Sequence, residues 1–175
     1  MRVETGTGAA PDAHAIYEQL APGDMVLVGA RPGHGKTLLA LRLAVEAMKA
    51  GKTSAFFTLE HTEDDTRERL RAVGGDAAAY GPQFVFDASD AISADYLIEK
   101  LADIPRGTLV VVDYLQILDQ TRDNPDLATQ IGALKAFASA HGIVLVFVAQ
   151  IDPRFETTGK ACPDLEDVRL PNPLD

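Results

Sequence analysis

The sequence predicts an α/β fold with a mainly parallel sheet flanked by helices on both faces, and three observations predict it. Apolar runs of strand length alternate with segments of helical period. Two of these runs, Leu109 to Val112 and Ile143 to Ala149, are wholly apolar, the pattern of strands covered on both faces. The composition, 46% hydrophobic and 24% charged over 175 residues, is that of one ordinary globular domain.

Each element has a local cause. A short helical turn is expected around Ala13 to Leu20, and Pro22 and Gly23 turn the chain into a buried strand, Met25 to Val28. Lys36 to Ala50 repeats Leu39, Ala40, Leu43, Ala44, Ala47 and Met48 at helical spacing, with Gly51 placed to end the helix. Ser54 to Leu59 reads as a second strand. Thr62, with Asp65 three residues on, resembles a capping box opening a helix that runs to Gly74 and Gly75. Phe84 to Phe86 is a short strand, and Ser93 caps a helix ending near Ile104, before Pro105. Leu109 to Asp113 is an apolar strand that ends in a carboxylate. A helix from about Leu127 carries Ile131, Leu134, Phe137 and Ala138 to a stop at His141 and Gly142, and Ile143 to Ala149 makes the fifth strand. Beyond Gln150, Pro153, Pro163, Pro171 and Pro173 mark the rest of the chain as an extended tail. The expected organisation is a short amino-terminal segment, 1–20, a core, 21–150, and a tail, 151–175.

Composition also excludes. Net charge is −10, and residues 76–175 hold 16 acidic against 7 basic side chains, a poor balance for a broad nucleic-acid face. One cysteine, Cys162, cannot form an intramolecular disulfide, and His14, His34, His61 and His141 are too dispersed for a zinc site. No apolar run approaches a bilayer span, and the amino terminus lacks the apolar core of a secretory signal, so no membrane role and a cytoplasmic location are expected.

The chemistry concentrates at strand ends. Ala30-Arg-Pro-Gly-His-Gly-Lys-Thr37 follows a strand and opens a helix, the context of a phosphate loop. Gly33 and Gly35 let backbone N–H groups converge on phosphates, Lys36 reaches the β and γ oxygens, and Thr37 holds Mg²⁺. The nucleotide segment is thus Ala30, Arg31, Pro32, Gly33, His34, Gly35, Lys36, Thr37 and Leu38, with Ala30 where the strict pattern has glycine. Asp113, at the end of its strand, stands where a metal-associated carboxylate is needed, although such an Asp also caps turns. Glu60 follows another strand into the same crevice and is the candidate for deprotonating water. The competing reading joins it to Glu63, Asp64 and Asp65 at a helix start. Gln150 ends the last strand as an amide able to bond a γ-phosphate or the water. His141 reads as a helix C-terminal cation, and Arg67, Arg69 and Arg71 as a solvated face.

In order and spacing, PGDMVLVGARPGHGKTLLALRLA, FFTLEHTEDDTRERL, VVDYLQIL and VFVAQ resemble the RecA-like P-loop ATPase core of the DnaB-type replicative helicases, over about Ala21 to Gln150. The resemblance implies ATP and Mg²⁺ as ligands, Lys36 and Thr37 as their residues, and Glu60 as the catalytic glutamate. It implies Asp113 as the metal-associated aspartate and Gln150 as a sensor coupling the γ-phosphate to DNA-contacting loops. Asp167-Val-Arg169 is similar to the family's Asp-Leu-Arg element. Single-stranded DNA and further copies of the chain are the partners it implies. The departures are the family's amino-terminal domain, its arginine finger and a basic DNA loop, since Arg154 and Lys160 are offset by Asp152 and Glu156. The expectation is therefore slow hydrolysis and no unwinding by these residues alone. The alternative is a regulatory ATPase that switches a protein partner.

Overall fold

Six parallel strands form one sheet in the computed structural model, which describes residues 2–4, 12–75, 80–115, 118, 124–160 and 167. In chain order the main elements are β1 (Arg2–Glu4), α1 (Ala13–Tyr17), β2 (Met25–Ala30), α2 (Lys36–Lys49), β3 (Ser54–Thr58), α3 (Glu63–Ala72), β4 (Phe84–Asp87), α4 (Ala94–Lys100), β5 (Leu109–Asp113), α5 (Leu127–His141) and β6 (Val144–Gln150). The sheet order is β1-β2-β6-β5-β3-β4. The fold class is the expected one, with one strand more: β1 is a three-residue edge strand paired to β2, and its single apolar residue, Val3 between Arg2 and Glu4, is too short a signal to announce a strand.

Because successive strand residues face opposite ways, each central strand feeds two cores. Leu27, Phe57, Val112 and Phe147 face α4 and α5, while Val28, Phe56, Val111 and Val146 face α1, α2 and α3. Burial of this kind stabilises by about 25 cal/mol per Å² of apolar surface.

The local signals set most boundaries. Asp126 accepts from Thr129 N–H and Gly142 is left-handed at φ 64°, so α5 starts and stops where sequence placed it. Thr62 likewise accepts from Asp65 N–H at the start of α3. The helix expected to run to Ile104 ends at Lys100. Ala102 N–H and Ile104 N–H bond three residues back, to Glu99 O and Leu101 O, so the chain tightens before Pro105. The tail is not simply extended either. Pro153–Thr157 is a 3₁₀ turn capped by Asp152, and Asp152 N–H donates to Asp167 O at 2.7 Å.

Candidate active site

Strand register brings four carboxyl ends together. Ala30 lies opposite Gln150, Asp113 opposite Val148, and Thr58 opposite Asp113, so the ends of β2, β6, β5 and β3 line one crevice. Crevices at this end of a parallel sheet are where ligands of such folds bind.

The loop between β2 and α2 opens it. Gly33 and Gly35 are left-handed at φ 75° and 79°, and a Cβ on either would meet nothing within 4 Å, so conformation rather than crowding requires glycine. Gly35 is the N-cap of α2 and offers no side chain to its first N–H groups. The carbonyl of Arg31 accepts from Lys36 Nζ at 3.3 Å and from His34 N–H at 3.2 Å, closing the loop on itself. Gly29 differs. A Cβ there would lie 2.8 Å from Ile151 Cδ1, the end of a side chain that could turn aside, so the packing there is close without strictly requiring glycine. Ala30 is a strand residue whose carbonyl accepts from Ile151 N–H at 3.1 Å. Pro32 is exposed in the loop, and Leu38, in the first turn of α2, is 38% exposed.

Asp113 is the electrostatic centre. Its side chain is almost fully buried, and Oδ2 has no hydrogen-bond partner. Burial pushes its carboxyl above the ordinary carboxylate value, and the negative charge of Glu60 adds to this. The Thr37 hydroxyl beside the carboxylate opposes the shift, as do His61 and Lys36. The Asp113–Tyr114 peptide is cis. Glu60 is exposed, with its N–H donating to Thr58 Oγ1 at 3.1 Å, and Gln150 is half-buried beside Ala30. Lys36, Thr37, Glu60, Asp113 and Gln150 thus come to one end of the sheet.

The donor set fits a hard cation. An orphaned buried carboxylate oxygen beside a hydroxyl suits an ion such as Mg²⁺, which takes few protein oxygens and completes its shell with water and phosphate. Among the described residues no three His, Cys, Asp or Glu side chains cluster as a metal site.

Other candidates fall outside the crevice. His141 stacks on Phe137 at 4.0 Å, and Arg67 pairs with Glu63 while lying over the Phe84 ring. Arg154 pairs with Asp152 at 2.9 Å and Lys160 with Asp167 at 3.0 Å. Cys162, Val168 and Arg169 lie outside the described residues. No described helix is long and apolar enough to cross a membrane.

One polar residue went unread in the sequence, and another was read only as one of four dispersed histidines. Gln130 is buried: its Oε1 accepts from Ala94 N–H at 3.0 Å, and its Nε2 donates to the carbonyls of Leu118 and Pro125, both at 2.8 Å. Its signal was an amide on the apolar face of α5, three residues after Leu127 and four before Leu134. His61 is the other, half-buried next to Glu60.

The profile of the AAA domain family matches residues 6–152. The replicative DNA helicase DnaB of Mycoplasma genitalium is 26% identical over 184 residues, covering 85% of this chain and 39% of that protein. The probable plasmid replicative DNA helicase of Chlamydia trachomatis serovar L2 is 25% identical over 181 residues, covering 86% and 40%. The chain thus spans about two-fifths of the length of these relatives. Among solved structures, a DnaB-like replicative helicase described with its interactions with primase superposes with TM-score 0.66 at 21% identity, covering 85% of this chain and 44% of that one. An ATPase domain superposes with TM-score 0.67 at 21% identity, covering 86% and 65%. The chain belongs to the AAA domain family, and its core is RecA-like, resembling that of the DnaB-type replicative helicases.

Proposed function

We propose that this chain binds ATP with Mg²⁺ and hydrolyses it at the β–γ bond, as the motor core of a DnaB-type DNA helicase. The observation that carries this reading is Asp113 Oδ2, a buried carboxylate oxygen left unpartnered beside the Thr37 hydroxyl. A group this costly to bury without a partner is retained where a ligand completes it.

In this reading Gly33, Gly35 and the first N–H groups of α2 cradle the phosphates. Lys36 leaves the Arg31 carbonyl to place its ammonium on the β and γ oxygens. Thr37 and Asp113 hold Mg²⁺, which when bound neutralises phosphate charge. Glu60 orients a water and accepts its proton as the water oxygen bonds to the γ-phosphorus. The β–γ bridging oxygen leaves with ADP. Gln150, level with Ala30 across the sheet, bonds the γ-phosphate or the water and reports cleavage to the segment beyond β6.

ATP turnover with and without single-stranded DNA tests the reading. A motor core turns over ATP and is stimulated by the strand. Turnover that ignores DNA favours a switch acting on a protein, and no turnover with no nucleotide binding overturns both.

A further inference from the structure

Between the end of β3 and the first turn of α3 the backbone is pinned almost residue by residue. Thr58 is registered opposite Asp113, and its Oγ1 accepts from Glu60 N–H at 3.1 Å. Thr62 Oγ1 accepts from Asp65 N–H at 3.2 Å and donates to Asp65 Oδ2 at 2.8 Å. His61 lies between these two clasps, which keeps it at the carboxyl end of the sheet. Its side chain is half-buried, and among the described residues no group donates to or accepts from its ring. His61, Glu60 and Lys36 all lie near enough to bear on the Asp113 carboxyl. A triphosphate entering a crevice that already holds Glu60 and Asp113 meets two carboxylates, so every donor available there gains importance.

We propose that His61 is a further catalytic residue of this site, whose imidazole N–H donates to the γ-phosphate of ATP from the turn joining β3 to α3. The role rests on the nucleotide reading above. The glycines and the start of α2 serve phosphates that ATP and ADP share, and Lys36 spans the β and γ oxygens; a further donor on the γ group adds to the preference for ATP over ADP. His61 transfers no proton in this role; it stabilises charge on oxygens that move apart from ADP.

The test is paired titration of the full chain with ADP and with a slowly hydrolysed ATP analogue, both with Mg²⁺, followed by turnover at saturating ATP. His61→Ala should weaken the ATP analogue about tenfold to hundredfold, the value of a hydrogen bond to a charged group, and lower turnover, while ADP binds as before. Unchanged ADP affinity also reports that the variant is folded. His61→Gln, which keeps an N–H donor, should recover most of the preference for ATP, and His61→Met should not. An unaltered ATP-to-ADP preference in His61→Ala, or equal losses for both nucleotides, overturns the role while the nucleotide reading stands. If the unsubstituted chain binds neither nucleotide, both fall together.

Discussion

At the amino ends of β3 and β5, two fully buried hydroxyls are satisfied within the chain: Ser54 Oγ donates to Leu109 O at 3.2 Å and Thr108 Oγ1 to Pro105 O at 2.6 Å. At the carboxyl end of β3 Thr58 Oγ1 still accepts from Glu60 N–H at 3.1 Å, but at that of β5 the buried Asp113 has an Oδ2 with no partner. The apolar residues between them pack the same two cores, so the sheet itself does not impose the difference. An unpaired buried hydroxyl is neutral and costs little compared with a carboxylate, so Thr66 Oγ1, the other orphan among the described residues, carries less weight. The amino ends are finished by folding alone, whereas in the proposed reading the carboxylate at the end of β5 is finished by what it binds.

Lys36→Ala should break this contrast most severely. Removing two charge-assisted contacts to phosphate should lower ATP affinity about a thousandfold, in effect abolishing binding, and leave the melting temperature nearly unchanged. Titration with a fluorescent ATP analogue measures it, and wild-type affinity would remove the phosphate loop from the site. Glu60→Gln comes next. An amide still packs and hydrogen-bonds but accepts no proton, so single-turnover phosphate release should fall about 10² to 10⁴-fold while binding persists. Near-normal release would return Glu60 to the acidic start of α3.

Asp113→Asn sharpens the comparison because its two consequences run in opposite directions. Mg²⁺-dependent nucleotide binding should weaken about tenfold, the scale of one charged contact, with Mg²⁺-free binding little changed. The ligand-free variant should at the same time gain up to about 1 kcal/mol, since a neutral amide is easier to bury than a carboxylate. Equal binding losses with and without Mg²⁺, together with a less stable apo protein, would make Asp113 a structural residue. At the other end Ser54→Ala should cost about 1 kcal/mol in urea unfolding and leave nucleotide binding untouched, because it unmakes a hydrogen bond that belongs to folding alone.

Where sequence reading succeeded, the determinant was local. Asp126 and Gly142 bound α5 through their own side chain and φ angle, and the run from Ala30 to Thr37 needs only its flanking strand and helix to be placed. The residues that failed to announce themselves depend on distant partners. Arg2 to Glu4 is a strand because β2 offers an edge, which no property of Arg-Val-Glu reveals. Gln130 matters through Ala94 and Leu118, 36 and 12 residues away. Gly29 was visible as a glycine, but its close contact with the Ile151 side chain was not. The convergence of Lys36, Glu60 and Asp113 was legible because parallel strands put their carboxyl ends on one side. The unpartnered state of Asp113 Oδ2 was not, since satisfaction is a property of packing.

The smallest effect belongs to the far end of α2, where the helix meets α1. Glu46 Oε1 accepts from Lys49 Nζ at 2.8 Å, and Oε2 lies 2.9 Å from His14 Nδ1. The Lys49 hydrogen bond, helped by His14 and opposed by burial, holds the Glu46 carboxyl below its ordinary value of 4.5. The folded protein therefore releases this proton more readily than the unfolded chain, so the stabilisation is fully present above the unfolded value and is lost as pH falls through the folded one. Lys49 and His14 are 52% and 67% exposed, so solvent screens the cluster and its worth should be about 0.5 kcal/mol. Glu46→Gln should show that deficit in urea unfolding at neutral pH and at low salt, and the gap between variant and parent should close well below pH 4.5. Nucleotide affinity should stay the same throughout, because the cluster sits at the end of α2 opposite Lys36. A gap that persists in acid would assign the loss to packing of α1 on α2 rather than to charge, and a change in nucleotide affinity would mean that α2 transmits strain along its length to the crevice.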